Sequence, residues 1–322
     1  MCASRTSIIA PEPAPEGTPV ALRFSIITPT FNRRDMLGEA LDSVARQDWR
    51  DVEHIVVDGG STDGTLELIA SRPALRLIGG PDQGVYDALN KGVAAATGDI
   101  ICFLNSDDAF EPGALSAAAM AFTGASICES VCGAARLVAG GEVIEVYDRE
   151  EDKRLISART ALLGASMINA RFFRKSALDR IGPFSLDYRV VSDRDFLMRA
   201  VTRGLLTKPI EPLVYTYRRH HASLSFSGEA ARRPAIWKEL LAVARHWATA
   251  DDVSPETKRV ARTLEGRCLG RLVQNELRAG RPGDAWRLIA HGERGLLGNL
   301  AAVGHGLIDA TAARIAVPGG LR

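Results

Sequence analysis

The sequence predicts an α/β fold, with a mostly parallel central sheet flanked by helices and a helical extension at the C-terminus. Three observations predict it. Ile100 to Leu104 is an unbroken apolar run after Gly98-Asp99, the pattern of a strand buried on both faces of a parallel sheet. Short β-branched stretches alternate with short helical ones from Phe24 to Leu104, the spacing of right-handed βαβ units. From Glu229 onward only helical periodicity remains. The apolar run leads into Asp107 and Asp108, and open α/β sheets bind ligands just outside the carboxyl ends of their strands. An acidic pair there is placed to hold a metal ion and, through it, a phosphate. In the competing reading the pair caps the helix that begins near Pro112.

Phe24 to Thr28 reads as the first strand, stopped by Pro29, with Asn32 capping the next helix and Asp35 three residues on. Leu37, Leu41 and Val44 then recur on one helical face. Glu53 to Val57 is the second strand, and Asp58 to Gly64 is a turn whose small residues let backbone approach a ligand, before a helix from Thr65 to Ala70. Leu75 to Ile78 is the third strand. A helix from Val85 to Thr97 follows, with Gly98 as its C′ residue. After a helix over Gly113 to Phe122, Val131 to Leu137 and Val143 to Tyr147 read as a hairpin about Gly140-Gly141.

If Val191 to Val201 is helical, Asp193 shares a face with Phe196, Leu197 and Ala200, while Asp195 faces away and can pair with Arg199. A carboxylate on an apolar face looks into a core or a cleft, and unpartnered burial is too costly for the core. Leu213 to Tyr217 is a further strand, leaving Arg218, Arg219, His220 and His221 at its end as ligand or phosphate contacts or as plain surface. Met1 to Leu22, rich in Pro, is expected to be a disordered tail. In Lys258 to Arg278, Val260, Leu264, Cys268 and Leu272 form one stripe with Arg259, Arg262 and Arg278 off it, which suits either a cap packed on the main domain or a basic membrane-facing surface.

Composition narrows the function. At 322 residues and 46% hydrophobic content the chain supports a large core, and a net charge of +1 argues against nucleic acid as a partner. Residues 229–322 nonetheless carry an excess of five basic side chains. Five cysteines, an odd number with Cys102 inside the buried run, suggest reduced thiols and a cytoplasmic setting. Cys128 and Cys132 lack a second pair at zinc-site spacing. No run of about 18 apolar residues is present to span a bilayer, and Ser7 to Ala10 is too short for the apolar region of a signal peptide.

Four segments in register, Phe24-Ser-Ile-Ile-Thr-Pro-Thr-Phe-Asn32, Val56-Val-Asp-Gly-Gly-Ser-Thr-Asp-Gly-Thr65, Asp82-Gln-Gly-Val-Tyr-Asp-Ala-Leu-Asn-Lys-Gly92 and Phe103-Leu-Asn-Ser-Asp-Asp108, resemble the family 2 inverting glycosyltransferases. The resemblance covers Phe24 to Ser225 and implies a GT-A fold over 23–228, with a nucleotide-binding half at 23–108 and an acceptor-binding half at 109–228, leaving 229–322 as the helical extension. It implies that Thr28, Pro29, Thr30 and Asn32 form the first nucleotide-contacting loop, that Asp58 reads the base, and that Asp82, Gly84 and Asn90 line the pyrophosphate and donor sugar. Ser106-Asp107-Asp108 resembles the variant DXD motif, with Asp108 ligating Mn²⁺ or Mg²⁺, His220 or His221 as an added ligand, and Asp107 contacting ribose or donor. Asp193 aligns with the catalytic base, with Asp195 as fallback because Ser192 replaces the family's usual Glu.

The function so implied is metal-dependent transfer of one sugar from a nucleoside-diphosphate sugar, UDP-type by preference, to a glycan or lipid-linked acceptor in surface polysaccharide or glycolipid assembly. The helical extension would then touch the inner face of a membrane. The rival is a non-catalytic GT-A scaffold. A dinucleotide-binding oxidoreductase would need G-x-G-x-x-G where this chain has Pro29 to Asn32, a nucleotidyltransferase of the same fold would show a Gly-rich, Arg-containing first loop, and a processive synthase would carry membrane helices and Q-x-x-R-W.

Overall fold

The computed structural model describes residues 22–124, 128–155, 157–220, 233–290, 298–300 and 303–304. The chain runs β1 (Phe24–Thr30), α1 (Arg34–Ala45), β2 (Val52–Asp58), α2 (Thr65–Ala70), β3 (Leu75–Gly79), α3 (Val85–Ala95), β4 (Ile100–Phe103), β5 (Ala109–Phe110) and α4 (Ala114–Thr123). It continues through β6 (Ser130–Ala139), β7 (Glu142–Tyr147), α5 (Glu150–Arg154), α6 (Ala158–Leu163), β8 (Arg171–Arg174), α7 (Lys175–Ile181), α8 (Ser192–Thr202) and β9 (Thr207–Arg219). Three helices close the described part: α9 (Arg233–Thr249), α10 (Pro255–Arg278) and α11 (Pro282–Ala290). The expected tail lies outside the described residues except for Leu22, as does most of the chain beyond α11.

Among the described residues the strands form one nine-stranded sheet in the order β3-β2-β1-β4-β8-β6-β9-β5, with β7 paired to β6. The first half, β3-β2-β1-β4, is parallel, as the alternation predicts. Beyond β4 the sheet is mixed, because β8 enters antiparallel and β6 pairs β9 in parallel. All four residues of β4 are buried.

Three sequence expectations change. Pro29 does not stop β1, which continues to Thr30 opposite Asp58. Leu104 N donates to Ile27 O, so Pro29, two residues on, turns toward the side where pairing with β4 has already ended. Its missing N–H therefore interrupts no ladder. Asn32 does not cap α1; with φ 51° its N–H donates to Ser61 Oγ (2.8 Å) and its Oδ1 accepts from Thr62 N (2.9 Å), tying the β1 and β2 loops together. Gly98 is not a C′ residue, since α3 ends at Ala95. A Cβ on Gly98 would lie 2.8 Å from both Arg23 O and Ser25 N, so close strand packing is what requires glycine there.

The main core is continuous across the boundary expected at residue 228. Ile27, Phe103 and Phe173 share it with Phe196 and Leu197 of α8, Leu240 and Trp247 of α9, and Leu264 and Cys268 of α10. The apolar stripe of α10 is thus spent on packing, and Arg245 of α9 pairs with Glu265 of α10 at 3.5 Å. Among the described residues no helix is long and apolar enough to cross a membrane, and Cys102, Cys128, Cys132 and Cys268 are free and buried.

Under the sheet, His54 of β2 is buried and lies 2.9 Å from Thr28 Oγ1 through Nε2. Burial lowers its pKa from 6.5 to about 3. Below 6.5 the unfolded chain binds a proton that the folded chain refuses, so this contribution is full above pH 6.5 and is lost as pH falls toward 3. His54→Gln is expected to flatten the fall in stability between those limits, read from denaturant midpoints at several pH values; an unchanged slope contradicts it.

Candidate active site

The carboxyl ends of β1 and β4, the N-terminal ends of α3 and α8, and the end of β9 surround a cleft of about 480 Å³. Asp82, Gly84, Asp107, Asp108 and Asp193 all line it. Pro29 and Thr30 line it too, and Thr30 Oγ1 is buried with no hydrogen-bond partner among the described residues, an acceptor and donor left for a ligand.

The acidic pair is met by partners from the loop after β4 and from β9. Asp108 is 3% exposed, and its carboxylate accepts from Tyr215 O–H (2.8 Å), Arg218 N (2.8 Å) and Asn105 Nδ2 (3.0 Å). Tyr215 also accepts from Asn105 N (3.1 Å) and Asn169 Nδ2 (2.9 Å). Asp107 Oδ2 lies 2.8 Å from His220 Nε2. Burial, and secondly the charge of Asp107, push Asp108 above the ordinary carboxylate range. Helix capping is excluded, because α4 begins only at Ala114, after Gly113.

Two carboxylates beside an imidazole offer oxygen and nitrogen donors that fit a divalent ion. Among the described residues no group of three or more His, Cys, Asp or Glu is arranged to hold an ion alone. The fit is therefore to an ion held by one or two carboxylates and completed by phosphate oxygens, the usual arrangement for Mg²⁺. His221 lies outside the described residues.

Asp193 sits in the first turn of α8, where the helix dipole favours negative charge. Ser166 O–H donates to its Oδ2, and Arg194 N and the more distant Tyr86 O–H (3.4 Å) approach Oδ1. Tyr86 also donates to Val190 O (2.9 Å), and its pKa is raised first by burial and next by the charge of Asp193. Asp195 pairs with Arg199 as expected, at 2.9 Å, but it does not face away from the protein. It is 5% exposed, accepts from Trp247 Nε1 (3.2 Å) and takes no part in the cleft, because α9 covers the side of α8 that the sequence leaves as surface. Ser192 donates to Ser185 O (2.8 Å).

Other expected contacts lie behind the cleft wall. Thr28 faces His54. The Asp58 carboxylate accepts from Gly60 N (2.9 Å), Ser61 N (2.8 Å) and Ser61 Oγ (2.6 Å), shaping its own turn. Asn90 clamps the segment before α8 through Phe184 O (2.9 Å) and Phe184 N (2.8 Å). Asp82, by contrast, lines the cleft and also shapes the entry to α3 by accepting from Gly84 N (2.9 Å). Sequence reasoning missed Ser166, Tyr215 and Glu239, whose Oε2 accepts from Val190 N (2.8 Å) and Val191 N (3.2 Å) just before Asp193. Each reaches the site from a distant part of the chain, and no spacing signals it.

Comparison with known proteins decides the family. The model of "Glycosyl transferase family 2" matches residues 25–128. A "PGL/p-HBAD biosynthesis glycosyltransferase" of Mycobacterium tuberculosis is 36% identical over 200 residues, 60% of this chain and 76% of the relative. The chain belongs to glycosyltransferase family 2. An uncharacterised glycosyltransferase of the same organism is 33% identical over 192 residues, 58% of this chain and 70% of that one. The fold is the GT-A fold: TarS (1-349) of S. aureus in complex with UDP-GlcNAc superimposes with TM-score 0.63 at 18% identity, covering 90% of this chain and 92% of that chain. Mannosyltransferase PcManGT from Pyrobaculum calidifontis, in complex with GDP-Man and Mn²⁺, gives 0.56 at 19% identity, covering 92% and 90%. As a family 2 glycosyltransferase the protein is a transferase enzyme, and the scaffold reading falls away.

Tyr215→Phe removes one hydroxyl that serves Asp108, Asn105 and Asn169 together. Leaving such buried partners unmet costs about 1–3 kcal/mol. Urea denaturation of the variant should show that loss, and a wild-type midpoint contradicts the assignment.

Proposed function

We propose that the protein moves one sugar from a nucleoside-diphosphate sugar to an acceptor hydroxyl with inversion at the anomeric carbon, with Asp193 as general base. The observation that carries this is the meeting of Asp193 and the Asp107–Asp108 pair in one cleft, from segments far apart in sequence. Pro29, Thr30, Asp82 and Gly84 form the donor side of that cleft, with Thr28, Asn32, Asp58 and Asn90 shaping it from behind. Solved structures of the same fold in complex with UDP-GlcNAc and with GDP-Man support a nucleotide-sugar donor.

Asp193 takes the proton from the acceptor hydroxyl as its oxygen attacks the anomeric carbon, and the bond from that carbon to the diphosphate breaks on the opposite face. Ser166 and Arg194 N hold the carboxylate so that it points into the cleft. Asp108, with Asp107 and His220 beside it, would hold Mn²⁺ or Mg²⁺, which supplies positive charge against the leaving diphosphate. The relatives' "PGL/p-HBAD biosynthesis" supports a glycolipid or surface-glycan acceptor. Action at the inner face of a membrane would suit a lipid-linked one.

Asp193→Asn is expected to bind the nucleotide as wild type does yet lose transfer by about 10²-fold or more. Near-wild-type transfer in product-formation assays sinks the base assignment. Asp108→Ala should lose Mn²⁺-dependent nucleotide affinity in calorimetric titration, whereas undiminished affinity counts against the metal role.

A further inference from the structure

Together with Asp193, the cleft is lined by an apolar lobe made of Leu162 and Leu163 at the end of α6, Ile236 and Leu240 of α9, Leu264 of α10, and Val191. Ile236 and Leu240 are four apart and so share one face of α9. The wall is recessed rather than superficial: Leu162 is 2% exposed, Leu264 3%, Val191 5%, and Ile236 and Leu240 7% each. Not one of these six side chains carries a hydrogen-bonding group.

The position of the lobe is fixed by the α8 entry. Glu239, adjacent to Leu240, accepts from Val190 N and Val191 N, and this joins α9 to the chain two residues before Asp193. The lobe is therefore tied to the start of α8, where Asp193 sits, whereas the acidic pair is anchored on β9. Laid against these six side chains, a second sugar ring would lose water from its hydroxyls and gain no hydrogen bond from them, at about 1–3 kcal/mol for each unmet group. Alkyl or aryl surface gains roughly 25 cal/mol for every Å² buried in the same place.

We propose that this lobe, walled by α6, α9 and α10, holds an alkyl or aryl group carried by the acceptor next to its reacting hydroxyl. The C-terminal helices thereby select the acceptor as well as complete the core. The inference rests on the proposed function through the assignment of Asp193 to the acceptor side.

The test uses the full chain, saturated with UDP and Mn²⁺, and three probes of one sugar: methyl, phenyl and octyl β-D-glucopyranoside. Affinities come from ligand-observed NMR titration. Phenyl and octyl glucosides are expected to bind about tenfold or more tightly than methyl glucoside, the worth of roughly 55 Å² of apolar surface. Ile236→Ala should reduce that preference at least about threefold, and Leu240→Phe, which fills the lobe while keeping the site apolar, should do the same. Melting curves confirm that each variant is folded, and two opposite volume changes keep the test decisive if one variant is not. Equal affinities for the three glucosides, or a preference that survives the folded variants, overturn the proposal. Hydrolysis of UDP-sugars and GDP-sugars by the same samples separates the two readings. Turnover without any preference sinks the lobe alone, whereas preference without turnover of any donor supports the lobe and contradicts the glycosyl-transfer reading.

Discussion

Burying a carboxylate costs several kcal/mol unless partners meet it, and Asp108 is buried at the point where both halves of the sheet must agree. Its three partners come from Asn105, just after β4, and from Tyr215 and Arg218 of β9, more than a hundred residues on. Hydrogen bonds to a charged group contribute about 1.5–3 kcal/mol each, comparable with the cost but not clearly above it. Burial, and next the charge of Asp107, leave Asp108 with a raised pKa.

Asp193 is held by a separate device. It takes its direction from Ser166 and its own helix, while Glu239 and Trp247 of α9 brace α8 on either side of it. The C-terminal helices therefore help set the position of α8 at the cleft. Their packing explains why the core does not divide at residue 228 and why the α10 stripe faces protein.

Much of this was legible in the sequence. The apolar run of β4 announced a buried parallel strand and placed the acidic pair at its end, and helical phase alone put Asp193 toward a cleft. What failed did so where long-range contacts overrule local rules. Pro29 extends β1 because its partner strand has already ended, Asn32 serves the neighbouring loop instead of its own helix, and Asp195 is buried by a helix that no short-range pattern connects to it. Tyr215, Ser166 and Glu239 were invisible for the same reason: each acts on a residue 27 to 107 positions away, or on backbone N–H groups nearly 50 away.

The central claim, that this cleft binds a nucleoside-diphosphate sugar donor, is tested most directly by melting curves of the purified protein with UDP, GDP, dTDP and CMP, each with and without Mn²⁺. A ligand at about 100 times its dissociation constant stabilises by roughly 2.7 kcal/mol, a shift of several degrees for a domain of this size. The account predicts that one nucleoside diphosphate raises the melting temperature and does so only with metal. No shift with any of them, with or without Mn²⁺, contradicts it.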